Sequence, residues 1–485
     1  MKVLMLGWEF PPHITGGLAT ACAGLCEGLA KNAVEVTFVV PRAFGDEDQR
    51  FARVLGCNEV DVEEELVEHV EVPSVRTVES EPREVRQRVH RLVRRASATP
   101  PASSVSTVPE WPMASAYATA EEYVAWLASL APERPASQEE TEAVVEVRTE
   151  LVAQPPRTEL FVERVEQRRK VSKRYAFNGF YGPDLFGEVS RYALCVAEIA
   201  AREAFDVVHA HDWMTFPAGV VAARKSGKPL VVHVHACEYD RSGDHPDERI
   251  REIERMGLEA ARLVACVSHY TASVLQRRYA VDEGKLRVVH NAVTRKEQAE
   301  RTAALKHVPE PIVLFLGRVT FQKGPDYFLE AAQRVIAVEP RVKFVIAGSG
   351  DMLPKMVERA ARMGLARHVH FTGFLKGRDV EKIYSMADIY VMPSVSEPFG
   401  ISPLEALALD VPVIVSRQSG VAEVLRNALK VDFWDVAEIA NKILALLKYP
   451  ALREHVLAAG RDEVRAMSWD ERGKKLREIY SELVR

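Results

Sequence analysis

Short uninterrupted apolar runs alternate with helix-length amphipathic segments twice along this chain, and that alternation constrains its fold more than any other feature. In the first block the runs are residues 3–7, 34–40, 206–210, 230–235, 263–267 and 286–289. In the second they are 312–316, 343–347, 368–372, 389–392 and 411–415. Runs of this length, apolar on both faces, mark strands of a parallel sheet covered by helices on each side. Between them, segments such as 18–31, 216–225, 247–261, 325–338 and 436–447 carry helical spacing, and Asp184 is placed to cap a helix over 184–203. The expectation is an α/β protein of two doubly wound parallel-sheet domains facing a central cleft. At 485 residues the chain is too long for one core. The domains are expected at 1–295 and 312–468, joined by a charged linker with two prolines at 296–311. A last helix over 469–485 is long enough to cross back onto the first domain.

Residues 44–172 break this rhythm. They include an acid-rich stretch (45–71) and a basic one (83–95) in which Val85, Val89, Leu92 and Val93 have helical spacing. Two segments rich in Ala, Ser, Pro or Thr (96–115 and 132–137) read as surface loops. Thr119 and Glu122 form a capping box ahead of a short helix at 123–127. The expectation is an irregular insertion in the first domain.

Composition narrows the function classes. The chain has 64 basic and 69 acidic residues, a net charge of −5, which argues against a nucleic-acid protein. The six cysteines form no CxxC pair, and Cys22 and Cys26, one helical turn apart, lack a nearby second ligand pair. Buried free thiols in a reducing, cytoplasmic setting are expected. No apolar stretch is long enough to span a bilayer.

Chemistry-bearing residues gather at strand ends. In the first block these are His209-Ala210-His211-Asp212-Trp213, His233-Val234-His235-Ala236-Cys237 and His290-Asn291. Residues two apart on a strand share a face, so the two HxH pairs with Asp212 allow a metal-dependent hydrolase. They equally allow histidines that merely cap strands. In the second block Arg318 and Lys323 follow the first strand directly. A guanidinium fork and a mobile ammonium there can clamp a diphosphate, or form a solvated basic loop. Gly348-Ser349-Gly350 closes the next strand, either as a plain turn or to admit a flat base. The loop from Pro393 carries Glu397 and runs into a helix containing Glu405. Such a junction aims free N–H groups at an anionic or many-hydroxyl ligand. Gly16-Gly17, where the first strand feeds its helix, permits a phosphate to approach or makes a tight turn. No GxGxxG follows that strand, which argues against the dehydrogenase reading. Asp46-Glu47-Asp48 has DxD form but lies in an acid-rich run, where solvated charge is the plainer reading.

Taken together, Gly16-Gly17, the HAHDW run, His235, Asn291, GRxxxxKG at 317–324 and EPFGxxxLEA at 397–406 resemble the retaining glycosyltransferases of the GT-B fold. Family 4 and the glycogen and starch synthases are the most similar, over residues 1–42 and 180–485. The resemblance implies two Rossmann-like domains, a sugar-nucleotide donor in the C-terminal one, an acceptor on the other side, and no metal or other cofactor. It implies that Arg318 and Lys323 hold the nucleotide diphosphate and stabilise it as it leaves. Glu405 would bond the ribose hydroxyls. Glu397 would contact the transferring sugar, with the backbone N–H groups of Phe399, Gly400 and Ile401. His235 would stand beside the sugar on the opposite wall, Asp212 and Asn291 would line the cleft, and Gly16 and Gly17 would cover the phosphates.

The implied activity moves a hexose, expected to be glucose, from ADP-glucose or UDP-glucose to an α-glucan, as a glycogen synthase does. Transfer to a small acceptor (a sugar phosphate, lipid or disaccharide) is the alternative within the class. Front-face attack is the family's usual mechanism rather than a two-carboxylate covalent route. Three positions depart from the bacterial synthases, which carry Lys where this chain has Ile14, Cys where it has Phe399, and no counterpart of the second glutamate. On these points the chain sides with family 4. Ile14 also leaves room for a catalytically silent sugar-nucleotide binder. A pyridoxal phosphate phosphorylase shares the fold, but no lysine motif here would anchor that cofactor.

Overall fold

The computed structural model describes residues 1–13, 17–77, 85–90, 145–150, 158–179, 181–293 and 308–484; within 64–77, 85–90, 145–150 and 158–170 only the backbone path is described. Strands β1 (Lys2–Leu6), β2 (Glu35–Val40) and β3 (Arg53–Gly56) open the chain. Then come β4 (Asp61–Thr77), β5 (Val85–His90), β6 (Val145–Glu150) and β7 (Thr158–Arg174). Four more follow: β8 (Val207–His211), β9 (Leu230–Val234), β10 (Leu263–Cys266) and β11 (Leu286–Val288). A seven-stranded sheet has the order β11-β10-β9-β8-β1-β2-β3, and all its pairings are parallel.

The second sheet is built from β12 (Ile312–Leu316), β13 (Lys343–Ala347), β14 (Val369–Gly373), β15 (Ile389–Met392), β16 (Val413–Ser416) and β17 (Leu429–Val431). Its order is β14-β13-β12-β15-β16-β17, again parallel throughout. In each sheet the chain runs outward from a central strand, returns, and runs outward the other way. The reversal falls between β1 and β8 in one sheet and between β12 and β15 in the other. At such switch points the loops beyond neighbouring strands diverge and leave a crevice at the carboxyl ends. Central strands are fully enclosed: Leu4, Val208, Val232, Leu314 and Val391 are each 0% exposed.

The last helix, Trp469–Leu483, does cross back and packs on the helix Gly17–Lys31. Small residues make this possible. A Cβ on Gly24 would meet the Trp469 indole at 2.1 Å, and one on Gly28 would meet the Trp469 carbonyl at 2.0 Å. Asn32 Nδ2 donates to the Asp470 carbonyl at 3.0 Å, and Arg287 pairs with Glu482 at 2.8 Å.

Several expectations need correction. The stretch with helical spacing at 83–95 is strand where described: β5 pairs antiparallel with β6. Val85, Gln87 and Val89 also fit period 2, and cross-strand pairing selected that period over the helical one. The insertion is not irregular throughout. Its start supplies β3 to the main sheet, and β4 and β7 form a ribbon of 17 paired positions, with acidic β4 residues such as Asp61, Glu65 and Glu71 opposite Arg174, Lys170 and Arg164. Opposite charges across a ladder stabilise pairing, a signal that reading each stretch alone conceals. Asp184 precedes its helix, Leu185–Arg202, but makes no side-chain cap; its carboxylate accepts from Arg191 at 2.6 Å. The helix Pro450–Arg465 was not anticipated. The loops at 96–115 and 132–137, the capping box at Thr119, residues 14–16 and most of the linker lie outside the described residues.

All six cysteines are buried free thiols, as expected. Among the described residues no helix is long and apolar enough to cross a membrane.

Candidate active site

The described candidate residues lie mostly in the loops beyond the carboxyl ends of the strands at the two switch points. After β12, Gly317 turns the chain and Arg318 stands exposed. A 3-10 turn, Phe321–Lys323, then leads into the helix Pro325–Val338. Gly324 at φ +66° makes that entry, and a Cβ there would meet the Pro393 carbonyl at 2.2 Å. That contact joins the β12 loop to the β15 loop. Val395 N–H donates to the Gln322 carbonyl at 2.9 Å, and Arg318 Nη2 donates to Gln322 Oε1 at 3.1 Å.

Lys323 Nζ is paired with Glu397 Oε2, and Ser394 Oγ donates to the same carboxylate at 3.3 Å. Glu397 is only 6% exposed, with Lys323 as its cationic partner. Its backbone is held as well, since Glu397 N–H donates to the Gln418 carbonyl at 2.9 Å and Gly420 N–H to the Glu397 carbonyl at 3.0 Å. Gly400 sits at φ +95°, packed on Met392, and the helix Ser402–Ala408 follows. The N–H groups of Phe399, Gly400 and Ile401 donate to no backbone carbonyl among the described residues. The Phe399 ring itself is buried in the core. Glu405 is half-buried and accepts from Tyr384 Oη at 3.2 Å.

The Gly348 to Gly350 turn has a structural use of its own. A Cβ on Gly348 would lie 1.8 Å from the Gly317 carbonyl, and one on Gly350 2.3 Å from that of Val319. Glycine lets the loops after β12 and β13 touch.

On the facing sheet His209, His211, His233 and His235 share one face of β8 and β9 and the end of β9, with His211 and His233 in register. The rings stack: His209 on His211 with centroids 4.4 Å apart, His211 on His233 at 5.2 Å, and His233 on His235 at 4.4 Å. The first three are 0% exposed and His235 is partly open. Burial drives all four down from the ordinary imidazole range, His235 to about 3, so they are neutral at pH 7. Ligand atoms of His209, His211 and His233 come within 4.8 Å of one another, as do those of Cys22, His211 and His235. Imidazole lone pairs lie in the ring plane, however, so stacked rings hold them side by side rather than on one point. Asp212 does not join them. Its Oδ1 accepts the His235 N–H at 2.7 Å and the Ala236 N–H at 3.3 Å, bracing the end of β9. The ligand set required by the hydrolase reading is not assembled.

Asn291 is 5% exposed at the end of β11, and its Oδ1 has no partner among the described residues. Gly17 begins the first helix with open space where a Cβ would be, and Gly16 lies outside the described residues. The DxD-like run is consumed locally: Asp46 bonds His13, Glu47 caps Phe44 and Gly45, and Asp48 pairs with Arg50.

The sequence reading overlooked a set of residues that fasten one wall to the other. Ser268 Oγ donates to the Pro398 carbonyl at 2.5 Å, Tyr270 Oη bonds Ser396 Oγ at 2.9 Å, and Ser396 Oγ donates to Asp240 Oδ1 at 2.6 Å. Glu423 accepts from the N–H groups of His269 and Tyr270, which open the helix His269–Tyr279, and bonds His290 Nε2 at 3.1 Å. The polar run Ser268-His269-Tyr270-Thr271 directly after a buried strand was the available signal.

Behind His235 lies a buried ionic cluster. Arg241 pairs with Glu238 and with Glu254, each at 3.1 Å, and also bonds the Ala236 carbonyl. Burial raises Glu254 to about 8 and Asp212 to about 6, in both cases against the pull of Arg241. Both folded values lie above the unfolded ones, so the folded state holds protons that the unfolded chain releases. The stability they contribute is full below about pH 4 and is lost as pH rises through 6 and 8. Thermal stability is therefore expected to fall from pH 6 to pH 8. Glu254→Gln should flatten that loss by on the order of 2 kcal/mol, and an unchanged slope would show that Glu254 is already ionised at pH 6.

Two parallel doubly wound sheets in tandem, each with its own switch point, are the architecture of the GT-B fold. The family models agree along the chain. "Glycosyl transferases group 1" matches residues 296–463, "Glycosyltransferase Family 4" residues 139–297, and "Starch synthase catalytic domain" residues 2–92. A glycosyltransferase of Methanocaldococcus jannaschii is 30% identical over 301 residues, spanning 58% of this chain and 76% of the relative. A D-inositol 3-phosphate glycosyltransferase of Catenulispora acidiphila is 31% identical over 301 residues, covering 56% and 70%. Among solved structures, sucrose-phosphate synthase from Thermosynechococcus elongatus superposes with a TM-score of 0.63 at 18% identity, covering 99% of this chain and 98% of the other. The catalytic domain of starch synthase IV from Arabidopsis thaliana, bound to ADP and acarbose, gives 0.59 at 13% identity, covering 100% and 99%. The chain belongs to the glycosyltransferases of family 4 and glycogen-synthase-like type.

Proposed function

We propose that this glycosyltransferase is a retaining hexosyltransferase that moves glucose from ADP-glucose or UDP-glucose onto an α-glucan. The observation that carries the reading is the Lys323–Glu397 pair at the switch point of the second sheet, with Arg318 in the same loop. Lys323 and Arg318 offset the charge of the diphosphate as it leaves, which is how fixed cations lower such a barrier. Glu397 and the N–H groups at 399–401 hold the sugar, and Glu405 takes the ribose. Across the cleft, His235 contacts the sugar as a neutral imidazole. Charge neutralisation comes from these side chains, so the reading expects no metal: a chelator should leave the rate unchanged.

One feature supports a glucan acceptor: the match of residues 2–92 to a starch synthase catalytic domain. A second acceptor class, a small phosphorylated polyol, is favoured by the named activity of the relative at 31% identity. A panel of both donors against glycogen and against small polyol and sugar phosphates separates them. Release of nucleoside diphosphate with glycogen, and an α-linked product, is the expected result. Release only with a small phosphate would replace the glucan reading, and no release with any pair would overturn transferase activity of this kind.

A further inference from the structure

His211 and Asp212, consecutive residues at the end of β8, grip His235 at two points. Asp212 Oδ1 takes its backbone N–H at 2.7 Å, and His211 Nδ1 lies 2.9 Å from its Nε2. We propose that His211 is a positioning residue that donates to His235 Nε2, fixing the tautomer in which His235 presents an Nδ1–H donor to the transferring sugar. The proposal rests on the donor-cleft reading above.

Two neutral imidazoles in hydrogen-bond contact share a single proton between the touching nitrogens. If His211 donates, its Nε2 is left as a bare lone pair, and His235 carries its proton on Nδ1. If His235 donates instead, His211 must carry its proton on Nε2. That nitrogen is buried and has no acceptor among the described residues. A buried N–H without an acceptor is rarer in proteins than an under-used acceptor, so the first arrangement is preferred. His211 is itself held between the stacked rings of His209 and His233. His209 in turn bonds Tyr480 Oη at 2.5 Å. The ladder thus runs from the crossing helix to His235. A hydrogen bond at one ring nitrogen decides which form the other takes, and His235 is the ring of the four that reaches the cleft.

The tautomer is read directly from the ring-nitrogen NMR shifts of His235 in the resting protein. Protonated Nδ1 with bare Nε2 is expected, and protonation at Nε2 would overturn the proposal. This arm needs no turnover, so it stands apart from any failure of the donor or acceptor reading. In kinetics with the active donor, His211→Leu should lower kcat by about 10²-fold, the scale of a misplaced reacting group, with little change in donor KM. His211→Asn places an amide N–H near the lost Nδ1–H and should recover most of the rate. His211→Leu should add nothing once His235 is alanine. An asparagine variant as slow as the leucine one, or independent losses in the double variant, would show that His211 serves packing alone.

Discussion

Glu397→Gln leaves a protein that still binds nucleoside diphosphate but transfers sugar at least about 10²-fold more slowly, on the scale seen when one fixed polar group at a reacting centre is removed. Glutamine keeps the volume of the side chain, and its Oε1 can still accept from Lys323 Nζ and Ser394 Oγ, the two partners of the native carboxylate. The loop should therefore remain folded. What goes is a negative charge, 6% exposed, directly beside the ammonium meant for the diphosphate. Removing that competitor holds or tightens diphosphate affinity, because Lys323 no longer divides its charge between two anions. Titration calorimetry with ADP and UDP, alongside the transfer assay, reads the two quantities separately. Parallel loss of binding and turnover would assign Glu397 to the nucleotide instead of the sugar.

The strands at the two switch points were legible because burial on both faces leaves an unbroken apolar run, as in Leu4 to Leu6 or Val313 to Leu316. Arg318, Lys323 and Glu397 stood out because charged residues in the loops just beyond such runs break the apolar pattern, and Glu405 because it follows in the next helix. What remained hidden depends on pairs far apart in sequence. Nothing near Glu63 announces Ser172 opposite it, so the ribbon of β4 and β7 read as loose charge. Asp212 looked like a cleft carboxylate, yet it is turned back onto the His235 backbone by a positive φ of 58°. The histidines looked like ligands because period 2 places them on one face, and only the ring planes show that they stack. Ser396 and Glu423 were invisible for a related reason: each is meaningful only when the two sheets meet.

Lys323→Ala should be the more damaging change, because it acts on both the chemistry and the fold. Transfer is expected to fall by about 10²–10³-fold, roughly 3–4 kcal/mol in the barrier, and diphosphate affinity should fall with it. The same substitution strands Glu397 without its counter-charge. Breaking a buried pair from one side costs about 3–5 kcal/mol, and the cost here is smaller since the Lys323 side chain keeps 21% of its exposure. A combined Lys323→Ala and Glu397→Gln variant separates the two effects. It removes the stranded carboxylate, so thermal stability should return toward that of the native chain, while transfer stays at the level of Lys323→Ala or below. Because Glu397→Gln slows transfer by itself, diphosphate affinity decides: recovery of stability without recovery of affinity places Lys323 on the leaving diphosphate. Recovery of both would mean that its whole purpose is to hold the β15 loop, and the cation for the diphosphate would then have to be Arg318, whose guanidinium donates to Gln322.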